Sequence, residues 1–311
     1  MDEPDSSGAS LNRGECYLMP ISAMSQDAFR KRIADLEVHS GDGHRAPGKA
    51  LLVLLSVRGV LHGSPRLRAH SRLEEEAQPL LEVFGPPMSG SRPDLPFQRL
   101  ADRCLWETEA PGVASTPAPN EVGGFPQSVY DLLANDYHLM KETVLNLLDL
   151  HFTKSVQPDL LEMLEVAELW DPASRSAQAS PQQRAVVAGF RKTVLNAYRN
   201  RCAVCGNGVW IDGTPLGIQL THIHWHSHGG EFALSNALAL CTLHQKLFDV
   251  GGFTISDDLR LEISSRLHVE APAGQGWIMP KPGSRIHAPE HPDNRPHPDN
   301  LAWHWREVYR E

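Results

Sequence analysis

The sequence predicts an α+β protein of two domains. A mixed α/β domain over residues 1–170 closes with connector helices, a linker covers 171–183, and a ββα domain stapled by a metal fills 184–311. Three observations lead there. Residues 25–170 alternate apolar runs with turn signals such as Gly41 to Gly43, Phe84 to Pro87 and Gly123 to Gly124. Residues 171–183 are small and polar with no hydrophobic period, which is linker composition. Beyond them, Cys202 and Cys205 form a CxxC pair that Cys241 and His244 answer with a CxxH pair.

In chain order, the run at residues 50–57 is long enough for a strand or a buried helix and too short to cross a bilayer. The first residues carry Asp2, Glu3 and Asp5 where a signal peptide would be basic, so a cytoplasmic protein is expected. Residues 131–150 place apolar side chains every three or four positions and predict one helix packed on the first domain. Residues 160–169 repeat the pattern.

The second domain is read from its metal ligands outward. Three thiolates and one imidazole make a closed tetrahedral shell of the structural zinc kind, with no position left for substrate. A redox CxxC needs a βαβ context and lacks a distant CxxH partner. The two other cysteines, Cys16 and Cys104, are too few for a disulfide framework, which fits a reducing compartment. Within the loop closed by the staple, residues 217–227 alternate as a strand that would put His222, His224, His226 and His228 on one face. Gly229 and Gly230 would end it, and residues 240–248 have helical character. His224, His226 and His228 read either as solvated strand histidines or as extra metal or phosphate contacts.

A net charge of −9 argues at first against nucleic acid, because phosphate contacts reward Lys and Arg. The distribution matters more. Residues 43–73 carry no acid but include His44, Arg45, Lys49, Arg58, Arg66, Arg68 and Arg72, and residues 181–211 carry no acid but include Arg184, Arg191, Lys192, Arg199 and Arg201. Either stretch alone reads equally as a solvated face; two of them, one beside the cysteine knuckle, read as two DNA contacts.

Residues 191–255 resemble the HNH endonucleases, through the Cys3His shell, His222, Gly229 and Gly230, Asn236, and the run from Lys246 to Asp249. The resemblance implies a ββα-metal fold and phosphodiester hydrolysis. His222 would be the general base and Asn236 an amide that ties the loop to backbone and orients His222. A divalent cation, Mg²⁺ or Mn²⁺, would stabilise charge on the scissile phosphate. Two positions depart from the family. Gln245 stands where a metal-binding histidine usually follows the zinc ligand, and Thr221 stands where Asp or His usually precedes the base.

In the amino-terminal half, His44-Arg45-Ala46-Pro47 and Leu95-Pro96-Phe97 followed by Arg99 and Leu100 resemble the sulfur-binding domain of phosphorothioation-dependent restriction enzymes. That resemblance implies an apolar pocket at Leu95, Pro96 and Phe97 for the sulfur, with His44, Arg45 and Arg99 on the anionic backbone. Sulfur is larger and less strongly hydrated than oxygen, so an apolar concavity costs it little desolvation. The bare residues also read as an ordinary strand-entry turn and a helix start. The expected whole is a restriction endonuclease acting on phosphorothioated double-stranded DNA, as a homodimer because one active site cuts one strand. The rivals are a 5-methylcytosine-dependent HNH nuclease and a catalytically weak DNA-binding sensor.

Overall fold

The computed structural model describes residues 24–36, 44–87, 100, 105–108, 118–169, 181–270 and 282–311. The expected sulfur pocket at Leu95, Pro96, Phe97 and Arg99, both outlying cysteines and most of the expected linker lie outside them. No helix among the described residues is long and apolar enough to cross a membrane. The chain forms two compact units, the first from residues 1–36, 48–79 and 94–147, the second from 37–47, 80–93 and 148–311.

In the first unit, α1 (Gln26–Ala34) opens on Ser25, whose hydroxyl accepts from the Ala28 amide and satisfies one orphan donor. Its successor α2 (Gly48–Leu61) holds the apolar run and is buried nearly all round, so it is the central helix of this unit rather than a strand. Three short antiparallel strands, β1 (Leu67–Ala69), β2 (Glu107–Thr108) and β3 (Val122–Gly124), pair in the order β1-β3-β2. Gly124 has no alternative there, since a Cβ would stand 1.9 Å from the Arg66 carbonyl oxygen.

The helix α3 (His70–Phe84) supplies Glu76, on which three arginines of the acid-free stretch converge: Arg68 at 2.9 Å, Arg72 at 3.0 Å and Arg58 at 3.4 Å. Arg66 pairs with Glu107. Four arginines of that stretch are therefore paired with acids outside it, Glu76 and Glu107, which a charge run along the sequence conceals.

The helix expected at 131–150 is two, α4 (Gln127–Asn135), packed against α2, and α5 (Tyr137–His151). Asp136 interrupts them with an extended backbone, and its carboxylate accepts from the Leu139 amide, so an Asx cap wins over the continuing apolar period. Residues 160–169 likewise divide into the end of α6 (Gln157–Met163) and a 3₁₀ turn at Ala167–Leu169, with Glu165 in the left-handed region between them.

The second unit gathers α7 (Pro181–Ala197), the exposed hairpin β4 (Val209–Ile211) and β5 (Thr214–Leu216), and the central hairpin β6 (Ile218–His222) and β7 (Ala237–Cys241). After these come α8 (Thr242–Asp249), the hairpin β8 (Phe253–Ile255) and β9 (Leu261–Ile263), and α9 (Pro298–Glu307). The central hairpin is antiparallel in a register running from Ile218 opposite Cys241 to His222 opposite Ala237. Both α7 and α8 pack on it, over a core that includes Val194, Leu195, Leu238, Leu240 and Phe248.

Two sequence boundaries move. The strand expected over 217–227 stops at His222, and His226–His228 form a 3₁₀ turn closed by Gly229 at φ 94°. The helix expected over 240–248 starts at Thr242, because Leu240 and Cys241 are still paired in β7. A two-residue strand period and a helical period overlap there, and cross-strand pairing decides.

Candidate metal centre and imidazole site

The chain brings Cys202, Cys205, Cys241 and His244 together, with all four ligand atoms within 4.8 Å of one another. His244 Nδ1 lies 3.1 Å from Cys241 Sγ and 3.5 Å from Cys202 Sγ. A tetrahedral shell with zinc–sulfur and zinc–nitrogen bonds of ordinary length has edges of roughly 3.5–3.8 Å, so the donor set and its spacing fit such an ion. The knuckle is built by backbone: the Gly206 amide donates to the Cys202 carbonyl, the Ala203 amide to Ala239 of β7. His244 comes from the first turn of α8. Hydrogen bonds among the three thiols hold Cys241 far below the usual thiol range and push Cys202 far above it, so the sulfurs are in close mutual contact.

His222 ends β6 and faces an aromatic wall. Its ring stacks on Phe190 at 5.9 Å and meets the edge of Phe232 at 5.1 Å, with His226 at 6.5 Å. Burial, and secondarily the charge of His226, push its pKa from 6.5 down to about 4, so the imidazole is neutral at physiological pH. Its Nε2 is buried without a hydrogen-bond partner.

Asn236 is buried, and its amide is fully engaged with the loop that follows His222. The Oδ1 accepts from the His224 amide at 2.8 Å, and Nδ2 donates to the carbonyls of His224 and Glu231. Gly230 lets this loop close, since a Cβ would stand 1.9 Å from the His224 carbonyl oxygen.

The other loop histidines are partnered. His224 Nε2 donates to the His228 carbonyl while its ring stacks on Trp303 at 4.4 Å, and His226 Nδ1 donates to the Gly230 carbonyl. His228 is buried against Trp225, so these three are loop-forming side chains rather than one solvated strand face. Thr221 is buried, and Gln245 is half-buried on α8 next to His244.

His44 and Arg45 are placed in the second unit, His44 half-exposed and Arg45 enclosed. The Arg45 backbone amide and His44 Nδ1 both bind the carboxylate of Glu307, and the buried Arg45 guanidinium sits 3.9 Å above the Trp225 ring. An arginine so enclosed presents no charge to a phosphate. Phe190 and Phe232, which pack on His222, and Trp303, which packs on His224 and His228, had no sequence signal beyond being aromatic.

Fold and site define a chain that joins a small α/β unit to a hairpin-and-helix unit with a Cys3His group able to hold a metal and a buried neutral imidazole. A family match runs across residues of both units. Residues 26–169 match the ScoMcrA-like DNA sulfur-binding domain, so this segment carries a domain of that type. Among solved structures, the sulfur-binding domain of SprMcrA complexed with phosphorothioated DNA is 21% identical, covering 47% of this chain and 98% of that one at a TM-score of 0.40. The corresponding ScoMcrA domain, also complexed with phosphorothioated DNA, is 21% identical over 45% of this chain and 97% of that one at 0.39. The modification-dependent TagI restriction endonuclease is 29% identical over 38% of this chain and 36% of that one at 0.28. No curated protein matches the chain.

Proposed function

We propose that the protein is a modification-dependent restriction endonuclease that binds phosphorothioated double-stranded DNA through residues 26–169 and hydrolyses a nearby phosphodiester through an HNH-type site centred on His222. The observation that carries the nuclease half is the neutral, buried imidazole of His222 with its partnerless Nε2, at a strand end whose hairpin and helix are anchored by the Cys3His group. The family match supports the recognition half.

In this reading water attacks phosphorus, its proton passes to His222, and the bond from phosphorus to the leaving sugar oxygen breaks as that oxygen takes a proton from solvent water. A neutral base is needed for the first transfer, and the aromatic wall of Phe190 and Phe232 keeps it neutral. Asn236 holds the loop after the base without touching substrate. Zinc in the Cys3His group would fix the start of α8 against the hairpin.

The residues present do not fit a protein cage for a second, catalytic cation. Thr221 and Gln245 offer a hydroxyl and an amide, and among the described residues the Cys3His set is the group of three or more His, Cys, Asp and Glu side chains that gathers. No step is assigned to such an ion. The same two residues favour the second reading, a DNA-binding sensor that cuts weakly.

Matched duplexes with and without one phosphorothioate, incubated with wild type and His222→Ala, test both halves. The expected result is cleavage of the sulfur duplex alone by wild type, and binding without cleavage by the variant. Sulfur-dependent binding with no cleavage by either protein selects the sensor. Equal affinity for both duplexes rejects the sulfur reading and turns attention to a methylated base. Pro96→Glu should remove the sulfur preference by setting a carboxylate against the DNA backbone.

A further inference from the structure

Among the second unit's buried polar atoms without a hydrogen-bond partner are Arg45 Nε, Arg310 Nη1, Trp225 Nε1 and Asp249 Oδ1. All four residues line one small cavity of about 10 Å³, which centres a single water-sized occupant. The remaining polar atoms nearby are committed. Arg45 donates to the carbonyls of Glu307 and Phe84, Arg310 to those of Val250, Val83 and Gly85, and Asp249 Oδ2 accepts from Ser155. Three unmet N–H donors and one carboxyl oxygen therefore belong to side chains that line this one space.

We propose that this cavity is a binding site for a small inorganic anion, chloride in the cell, held by Arg45, Arg310 and Trp225 beside Asp249. A monatomic anion accepts from every direction, so it satisfies three N–H groups at once; a water accepts only two bonds well. Charge points the same way. Two guanidinium groups are buried here, at 5% and 8% exposure, and Glu307 supplies one full negative charge beside Arg45. Burial raises Asp249 to about 7, so near neutral pH its carboxyl balances Arg45 only in part and, when protonated, can donate to the anion. An uncompensated buried cation is costly, and an ion inside the cavity removes that cost.

The site also bears on the candidate base. Trp225 lies between His224 and His226, and its ring supports Arg45 on one side and packs near Trp303 on the other. An occupied cavity fixes the loop three residues past His222. This consequence rests on the nuclease reading, whereas the anion site itself does not.

Thermal unfolding of the full chain at constant ionic strength, with glutamate replaced stepwise by chloride or bromide, reads the site directly. The melting temperature should rise by a few degrees and in proportion to the logarithm of halide concentration, as for any ligand bound by the native state alone. Trp225→Phe keeps the ring under Arg45 but removes the N–H, and should flatten that dependence. Asp249→Asn preserves a neutral donor and should keep it. Crystals grown in bromide should show an anomalous peak in the cavity, which decides the matter if Trp225→Phe fails to fold. A melting temperature indifferent to halide, or equally sensitive in Trp225→Phe, overturns the proposal, as does a cavity without bromide. Cleavage is not part of the readout, so failure here leaves the nuclease reading standing.

Discussion

His222 and His304 are both largely buried and both driven to low pKa, about 4 and about 3, yet their surroundings differ in the one respect that matters for chemistry. At His304, on α9, both ring nitrogens are used: Thr254 donates to Nδ1, Nε2 donates to the Phe248 carbonyl, and the ring stacks on Phe248 at 3.6 Å. At His222 the ring is packed just as specifically, but Nε2 has no partner. A depressed pKa therefore marks burial in both places and an unpaired ring nitrogen in only one. The first histidine is cemented into the core; the second is kept neutral with a basic atom to spare.

The comparison collapses altogether if the staple is removed, and that is the largest effect expected. Cys241→Ser should release the bound metal and unfold the second unit, because a structural site contributes on the order of 10 kcal/mol to folding. Metal analysis with circular dichroism checks it; a folded variant with no metal would show that the hairpin stands without the staple.

Exchanging the two histidines sharpens the contrast. His304→Ala should lose about 3 kcal/mol in denaturant unfolding, with cleavage per folded molecule retained. His222→Ala should cost under about 1 kcal/mol and abolish cleavage. A stable, inactive His304→Ala would reverse the assignment.

Acid supplies a third probe. A histidine whose folded pKa lies below 6.5 binds fewer protons folded than unfolded, so its contribution is whole above pH 6.5 and falls with pH until the folded value is reached. Asp249, raised to about 7, acts the opposite way and favours the folded state more as pH drops from 7 toward 4. The stability gap between wild type and His304→Phe should therefore narrow as pH falls from 7 to 4. Urea midpoints across that range measure it; a gap that stays constant would mean His304 titrates normally.

The smallest effect is expected from Gln245→His, which adds an imidazole next to His244. Cleavage should be unchanged, or raised at low divalent-cation concentration, in an Mg²⁺ titration.

What the sequence made legible follows spacing. Cys202, Cys205, Cys241 and His244 could be read because metal ligands have fixed spacings on each side of a loop. The central hairpin and the helix after it were readable in kind, but not at their ends, where Cys241 is at once a strand residue, a member of the Cys3His group and the cap of α8. The break at Asp136 was hidden because an Asx cap leaves the apolar period on both sides intact. Arg45 was misplaced for a different reason. A basic residue in an acid-free stretch looks like a phosphate contact until a carboxylate 262 positions away in the chain is found beside it.

The Asn236 amide has a consequence for motion. The His224 N–H is held by a side chain and not by a neighbouring strand, and the Ile223 N–H by the Asn236 backbone carbonyl. These two amides can exchange with solvent only when the whole turn from His222 to Asn236 lets go at once. Their deuterium uptake is thus a clock for loop opening, separate from the unfolding of the hairpin that carries the loop.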